Sequence, residues 1–423
     1  MNSAPTLAEA VGCLSGYDPQ ALRVADAQRV IERFVAPVQA IERVAIRDAL
    51  ERVLAQDVIS PIDVPAHDNS AMDGYAVRAA DLNDDAETAL RVVGTAVAGK
   101  PLARPLGAGE AVRIMTGAVM PEGADTVVIQ ELARQDGDLV RVPAGQQAGQ
   151  NRRLRGEDLA AGRPAIEGGR RLMPADLGLL ASLGVAEVPV RRRLRVAFFS
   201  TGDELRSIGE PLGPGQIYDS NRYTLHGMLR RLGVELIDMG VVGDSPEALE
   251  QAMRAAGECA DAIVSSGGVS VGEADFTREV MARLGDVAFW KIGMRPGRPM
   301  AFGRVGNACY FGLPGNPVAV MITFYFFARD ALLRMMGASP ARQPYVRART
   351  VSAIRKKPGR TEYQRGILSV GADGAMQVRL TGGQGSGVLR SMSEANCIVV
   401  LHHEQGAVAA GDPVDCLAFE GLV

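Results

Sequence analysis

Residues 191–340 alternate short apolar runs with helical patterns. This alternation is typical of an α/β domain in which helices cover both faces of a parallel sheet. The first run, LRVAFFS at 194–200, is apolar at almost every position, as expected for a strand buried on both sides. Later strands are predicted at 234–242, 261–266, 287–292 and 308–312, and helices at 221–233, 245–257, 275–285 and 317–337. A central, doubly wound parallel α/β domain is therefore expected.

The loops that follow the predicted strands are rich in glycine and acidic residues. Their sequences are STGDE, GVVGD, SSGGVSVGEAD and GLPGNP. Ligands of open α/β sheets bind beyond the carboxyl ends of the strands, so we expect these loops to meet at one edge of the sheet. The acids that would meet there are Asp203, Glu204, Asp244, Glu273 and Asp275. Convergence of four such loops favours one functional site over four unrelated turns.

The SSGGVSVGEAD loop has the residues of a phosphate and metal site. Gly267 and Gly268 lack side chains, so their backbone N–H groups can approach an anion, and Ser265 and Ser270 add hydroxyl donors. A carboxylate such as Asp275 can hold Mg²⁺ against phosphate oxygens. The loop could instead be an ordinary strand-to-helix turn in which Asp275 caps the following helix.

Cationic residues are predicted to face these acids. The segment KIGMRPGRP carries Lys291, Arg295 and Arg298, and arginine can bind an oxyanion through two parallel hydrogen bonds. Lys291 is one of only four lysines and, unlike arginine, a lysine can donate a proton. In GLPGNP, Pro314 and Pro317 stiffen the entry to a helix whose N-terminal amides favour anions. The sequence thus predicts a clamp for an anion.

The other segments predict further domains. The expected division is residues 1–60 with 150–190 as a discontinuous helical linker domain, 61–149 as an inserted β domain, 191–340 as the α/β domain and 341–423 as a C-terminal β-barrel or sandwich. Helical patterns occur at 18–34 and 47–58 in the first of these. The polar loop SPIDVPAHDNSAMDGYAVR is either a binding loop or a turn that satisfies its own backbone.

Composition narrows the class of protein. A net charge of −3 gives no reason to expect nucleic acid or an anionic membrane as partner. The most apolar run, 318–328, is about half of the roughly 20 residues needed to span a bilayer, and no signal peptide is recognisable. The five cysteines are scattered without zinc-ligand spacing, which indicates reduced thiols. We expect a soluble, cytoplasmic protein.

With these motifs in place, the chain resembles the molybdopterin molybdenumtransferases of the MoeA family, which includes the E domain of gephyrin. The resemblance covers nearly all of the chain, from about residue 20 onward. It rests on nine motifs in order: SPIDVPAHDNSAMDGYAVR, RIMTGAVMPEGAD, RGEDLAAG, FSTGDEL, IYDSNRY, SSGGVSVGEADFT, FWKIGMRPGRPMAFG, GLPGNPVAV and GGQGSGVLRSMSEANC.

The resemblance implies roles for individual residues. The positions that match the family's functional residues are Asp73, Thr116, Asp158, Glu204, Asp244, Asp275, Lys291, Arg295, Pro314, Pro317 and Ser386. The family commonly has lysines where this chain has Arg295 and Arg298, which keeps the positive charge but removes a proton donor at 295. The loop that provides Ser386 also offers Ser391 and Ser393.

The reaction implied by the resemblance converts adenylylated molybdopterin and molybdate into molybdenum cofactor and AMP. Asp244, Asp275 and Glu204 would hold Mg²⁺ on the bridging phosphates. Molybdate would bind a set formed by Lys291, Arg295, Ser386 and either Arg360 or Arg365. Insertion must expel oxo groups as water, for which Lys291 is the candidate acid.

The resemblance also implies an elongated, L-shaped subunit with a MogA-like α/β domain. The subunit would form a homodimer, with the cleft between the α/β domain of one copy and the β domains of the other. Transient partners would be a molybdopterin adenylyltransferase and molybdoenzyme apoproteins or their chaperones. Two alternative functions are molybdopterin adenylyltransferase, because the α/β domain resembles that enzyme too, and a non-catalytic scaffold like the gephyrin domain.

Overall fold

The structure is a computed structural model that describes residues 6–269, 274–339 and 343–419, without the side chains of 274–276. Its centre is a six-stranded mixed sheet. From edge to edge its strands are Glu235–Val242, Arg195–Thr201, Ala262–Ser266, Ala308–Leu313, Pro299–Val305 and Gly285–Lys291. The first four are parallel, and Pro299–Val305 is antiparallel to both of its neighbours. The predicted strands are confirmed, whereas Pro299–Val305 was not predicted.

Helices cover both faces of this sheet at the predicted positions. They are Ser220–Leu232, Pro246–Cys259, Ala274–Leu284 and a last helix made of Pro317–Thr323, the π-helical Phe324–Ala328 and Arg329–Met335. The first begins where the Asp219 side chain accepts a hydrogen bond from the N–H of Arg222 at 3.0 Å. It ends at Gly233, which has a φ of 80° that favours glycine. Local capping thus agrees with the sequence pattern.

Two hydrophobic cores lie on opposite faces of the sheet. Phe198 packs into the larger core together with Phe302 and Phe311, whereas the adjacent Phe199 points into the second core. This alternation follows from the two-residue period of a strand. The ring of Phe302 lies 5.3 Å from that of Trp290, the only tryptophan of the chain. The unpredicted strand is therefore central to the larger core.

The N-terminal region has helices at Leu7–Val11 and Val24–Phe34. The prediction of a helix at 47–58 is wrong. The N–H of Glu51 instead donates to the carbonyl of Leu172 at 2.8 Å, and that of Leu54 donates to Arg170 at 3.0 Å. Glu51 also has a φ of 62°, which is incompatible with a right-handed helix. Tertiary pairing with a distant segment overrides the local helical pattern here.

Strands from separated segments pair with one another in the N-terminal half. The pairs are Ile41–Ala45 with Glu187–Arg191, Val58–Ile59 with Pro164–Ile166, and Asn69–Ser70 with Arg152–Arg153. A helix, Pro174–Ser182, lies between the second and the first of these pairings in the chain. These pairings bring the two segments of the discontinuous region together, although the domain boundaries themselves remain a prediction.

The two β regions each form a sheet of their own. The inserted region contains the strands Gly74–Val77, Thr88–Ala96, Glu110–Ile114, Thr126–Ile129, Arg134–Asp136 and Leu139–Val142. The C-terminal region closes five strands into a barrel, and these are Val346–Thr350, Thr361–Val370, Met376–Leu380, Cys397–Leu401 and Pro413–Ala418. A short helix, Leu389–Ser393, precedes the fourth of them.

The barrel is joined to the α/β region through the segment that follows Lys291. Met294–Arg295 pairs in parallel with Thr361–Glu362 of the first long barrel strand. The backbone that carries Arg295 is therefore part of the barrel sheet. In the described part of the chain, no helix combines the length and the apolar character needed to cross a bilayer.

We expect Phe302→Ala to destabilise the α/β region by about 3–5 kcal/mol, because it removes a buried ring from a packed core. Chemical denaturation followed by Trp290 fluorescence measures the change. Val370→Ala is the matched control, since Val370 is 67% exposed at the end of a barrel strand and should change stability by less than about 0.5 kcal/mol. Equal denaturation midpoints for the two variants would contradict the central position of Phe302.

Candidate active site at the sheet edge

The acidic loops after strands Arg195–Thr201 and Glu235–Val242 are hydrogen-bonded to each other. The N–H of Asp203 donates to Oδ2 of Asp244 at 3.2 Å, and the N–H of Asp244 donates to Oδ1 of Asp203 at 3.2 Å. Burial raises the pKa of Asp244, and the charges of Asp203 and Glu204 raise this pKa further. The structure therefore brings Asp203, Glu204 and Asp244 together at the edge.

These carboxylates offer a partial donor set for a metal ion. Ser270 and Glu273 lie outside the described residues, as does the side chain of Asp275. Within the described ranges, no three His, Cys, Asp or Glu side chains form a metal site by themselves. Mg²⁺ is usually bound through one or two carboxylates, with substrate phosphates and water completing its coordination. Asp203 and Asp244 fit that pattern better than a closed protein cage.

Gly267 lies against the STGDE loop. A Cβ on Gly267 would lie 2.5 Å from the carbonyl oxygen of Thr201, and its φ of 94° also favours glycine. The N–H of Gly267 donates to the carbonyl of Leu313 at 3.1 Å, so it is not free for the predicted contact with a phosphate. The hydroxyl of Ser265 is engaged as well, at 2.8 Å from the buried hydroxyl of Tyr310.

Asn221 links the glycine turn to the GLPGNP loop. Its Nδ2 donates to Oγ of Ser266 at 2.8 Å and to the carbonyl of Gly315 at 2.6 Å. No role was predicted for Asn221, although the IYDSNRY motif contains it. The carbonyl of Pro314, in the GLPGNP loop, also accepts a hydrogen bond from Oγ of Ser266 at 3.5 Å. The two loops are thus held side by side.

The glycine-rich tip of the barrel lies next to the GLPGNP loop. Pro317 begins the helix there, and the N–H of Val318 donates to the carbonyl of Ser386 at 3.0 Å. Ser386 therefore contacts the α/β region through its backbone. A continuous row of loops runs from the acids, through the glycine turn, to this tip.

Arg365 supports the tip from inside the barrel and is only 1% exposed. Its Nε donates to Oγ of Ser391 at 3.0 Å, and its terminal nitrogen donates to the carbonyls of Gly383 and Gly385 at 3.2 and 3.0 Å. Burial lowers the pKa of Arg365 to about 10, with a further contribution from the charge of Arg295. Among the described residues, no carboxylate forms an ion pair with Arg365. The tip thus carries an uncompensated positive charge.

Arg360, unlike Arg365, forms an ion pair with a carboxylate. Its side chain lies 2.8 Å from the carboxylate of Glu362, which is almost fully buried. The charge of Arg360 is therefore largely neutralised within the protein. Of the two arginines that the sequence left as alternatives for an oxyanion, Arg365 is the one without a carboxylate partner among the described residues.

Lys291 lies at the opposite end of the same edge from the acids. Strand Gly285–Lys291 is five strand spacings away from Glu235–Val242, a separation on the order of 24 Å. The expectation that the cations directly face the acids is therefore wrong, because the antiparallel strand Pro299–Val305 lies between Gly285–Lys291 and the parallel strands. Arg295 and Arg298 are exposed near this end.

Asp73 and Thr116 contact each other in the inserted β region. Oδ1 of Asp73 accepts hydrogen bonds from both the N–H and the hydroxyl of Thr116, each at 2.7 Å. These bonds lower the pKa of Asp73. Asp158 is exposed, and its N–H donates to the carbonyl of Val64 at 3.1 Å. In the described residues, none of the three forms a hydrogen bond with the sheet-edge loops.

Comparison with known proteins gives a consistent assignment for most of the chain. Residues 22–184 match the MoeA N-terminal region (domain I and II), residues 197–334 match the probable molybdopterin binding domain, and residues 347–419 match the MoeA C-terminal region (domain IV). A crystal structure of the molybdopterin biosynthesis moeA protein from Pyrococcus horikoshii superposes with a TM-score of 0.82 at 27% identity, covering 94% of this chain and 100% of that one.

Relatives of similar length share much of the sequence. A molybdopterin molybdenumtransferase from Haemophilus influenzae is 42% identical over 93% of this chain and 98% of its own. A molybdopterin molybdenumtransferase from Nostoc is 39% identical over 86% of this chain and 85% of its own. Since the matches run through all the regions described above, this chain belongs to the MoeA family of transferases.

Proposed function

We propose that this chain inserts molybdenum into molybdopterin, using adenylylated molybdopterin and molybdate and releasing AMP. The layout of the sheet edge carries the proposal, because carboxylates lie at one end and cations at the other, with glycine-rich loops between them. Adenylylated molybdopterin presents both kinds of group, a phosphoanhydride that a carboxylate-bound cation can hold and a dithiolene that receives the metal of an oxyanion. The molybdopterin molybdenumtransferases of Haemophilus influenzae and Nostoc support the same activity.

The acidic end would hold the phosphoanhydride through Mg²⁺. Asp203 and Asp244 are the donors whose positions support this role, and Glu204 and Asp275 are proposed as further ligands. When bound, Mg²⁺ supplies charge neutralisation on the phosphate oxygens. The two reciprocal N–H bonds between the loops keep the carboxylates oriented, so they need little rearrangement when substrate arrives.

The cationic end would bind molybdate beside the dithiolene. Arg365 shapes the tip that presents Ser386, and Arg295 adds a second charge that increases attraction for an oxyanion. Arg298 would extend this charge along the exposed segment. Lys291 would donate protons as oxo groups leave as water, because a lysine ammonium, unlike the guanidinium of the neighbouring arginines, can give up a proton.

We further propose a cytoplasmic homodimer in which a second copy completes the site. Asp73, Thr116 and Asp158 have no described bond to the sheet edge, so the inserted β region and the linker region of a second copy would supply them. Exposed apolar side chains in the segment that follows strand Arg195–Thr201 support an interface. Ile208 is 65% exposed and Ile217 is 54% exposed. The adenylyltransferase and the molybdoenzyme apoproteins or chaperones remain proposed transient partners.

Asp244→Asn should reduce Mg²⁺-dependent release of AMP from adenylylated molybdopterin by about 10²-fold or more, because it removes a charged metal donor. A coupled assay for AMP at saturating molybdate measures the rate. Glu258→Gln makes the same charge change on an exposed surface of helix Pro246–Cys259 and should leave the rate unaltered. An Asp244→Asn rate equal to that of Glu258→Gln would remove Asp244 from the site.

The same Asp244→Asn change should raise the melting temperature of the metal-free protein at pH 7 by about 1–3 °C. The pKa of Asp244 is raised in the folded state, so its ionised form opposes folding above that pKa and ceases to do so when protonated. The gain should therefore shrink as the pH falls through the carboxyl range. Thermal melts at several pH values measure it, and a gain that grows at low pH would contradict the assignment.

Lys291→Arg separates charge from proton donation. If Lys291 is an acid, Lys291→Arg should lower cofactor formation by about 10²-fold, nearly as far as Lys291→Ala does. Both variants should still bind AMP with Mg²⁺, because the acidic end is on the order of 24 Å away. Recovery of the full rate in Lys291→Arg would show that positive charge alone is required.

A further inference from the structure

Two threonine hydroxyls at the acidic end have no hydrogen-bond partner in the part of the chain that the structure describes. The Oγ1 atoms of Thr201 and Thr277 are both buried, and neither meets a donor or acceptor among the described residues. Thr277 as a whole is only 2% exposed. A buried hydroxyl without a partner destabilises the folded state, so its persistence needs an explanation from a ligand or a water molecule.

Both threonines line the same small cavity beside Asp244, with a volume of about 10 Å³. A Cβ on Gly268 would lie 3.1 Å from Oγ1 of Thr201 and 3.8 Å from Oγ1 of Thr277, so the two hydroxyls flank the same glycine. The N–H of Gly268 forms no hydrogen bond with any described residue. A cavity of this size has room for about one oxygen atom.

The hydrogen-bond donors that line the cavity favour a ligand atom that accepts hydrogen bonds. Two hydroxyls and one N–H group can all donate to an atom placed between them. Thr277 lies in the first turn of helix Ala274–Leu284, where the helix dipole also favours negative charge. The neighbouring carboxylate of Asp244 would repel a free anion, so the ligand must be an oxyanion that binds together with a cation.

We propose that Thr201 and Thr277 bind one non-bridging phosphate oxygen of the nucleotide part of the substrate. This assignment deepens the proposed function and rests on it, since that function supplies the phosphoanhydride. One oxygen would enter the cavity while others face the cation held by Asp203 and Asp244. Molybdate is also a tetrahedral oxyanion, but the cations suited to it lie at the far end of the edge. Thr201 and Thr277 therefore fix the orientation of the anhydride.

The test compares Thr277→Val with Thr277→Ser in the full-length chain. Valine keeps the branched shape and removes the hydroxyl, whereas serine keeps the hydroxyl. Calorimetric titration with AMP and Mg²⁺ should show roughly tenfold weaker binding for Thr277→Val and a change of less than about twofold for Thr277→Ser. Molybdate binding should be the same in all three proteins. Thr201→Val should repeat the Thr277→Val result.

Thermal stability separates a ligand role from a structural one. Thr277→Val should raise the melting temperature of the ligand-free protein, because it replaces an unsatisfied buried hydroxyl with a methyl group. Added AMP and Mg²⁺ should then stabilise the variant less than the unaltered chain. A lower melting temperature together with unaltered AMP affinity would mean that the hydroxyl serves the fold, and would overturn the proposal.

The remaining outcomes are equally decisive. Weaker molybdate binding with unaltered AMP binding would assign the cavity to molybdate, and unaltered binding of both would assign it to a water molecule. Either result, or an unaltered chain that does not bind AMP, overturns the proposal. If Thr277 is needed for AMP binding but no AMP is released from adenylylated molybdopterin, the proposed function fails while the phosphate site stands.

Discussion

The close contact of Gly267 with the carbonyl of Thr201 is the constraint on which the sheet edge depends. No side chain fits between the two residues, and the N–H of Gly267 is already bonded to Leu313. Gly267 therefore contacts the ends of both strands that pair with Ala262–Ser266. These contacts are made by backbone atoms, so they support the loops of the edge before any ligand binds.

The fold could be predicted from sequence wherever local pattern and tertiary environment agree. Strand Arg195–Thr201 is apolar because both of its faces are buried, and helix Ser220–Leu232 has its cap residues in place. Prediction failed at 47–58, where a helical pattern is overridden by hydrogen bonds to residues 170–172. It also missed Pro299–Val305, since the prolines and glycines around that strand are typical of a loop.

In the candidate site, too, some features could be predicted from the sequence and others could not. The meeting of Asp203 with Asp244 follows from the general rule for strand ends, so sequence was sufficient. The distance from these acids to Lys291 depends on strand order, which pattern alone does not specify. The difference between Arg360 and Arg365 was equally hidden, because it arises from one buried partner, Glu362. Motifs therefore identified the participants, while topology determined how far apart they lie.

The pairing of Met294–Arg295 with the barrel has a mechanical consequence for turnover. The sheet carries the acids and the barrel carries the glycine-rich tip. The way the barrel packs on the α/β region therefore determines the distance between the acids and the tip. A ligand that contacts both the acids and the tip is held by two domains at once, whereas AMP alone would be held by the acidic loops. Cleavage of the anhydride would therefore leave AMP with fewer contacts than the intact substrate had, which favours its release.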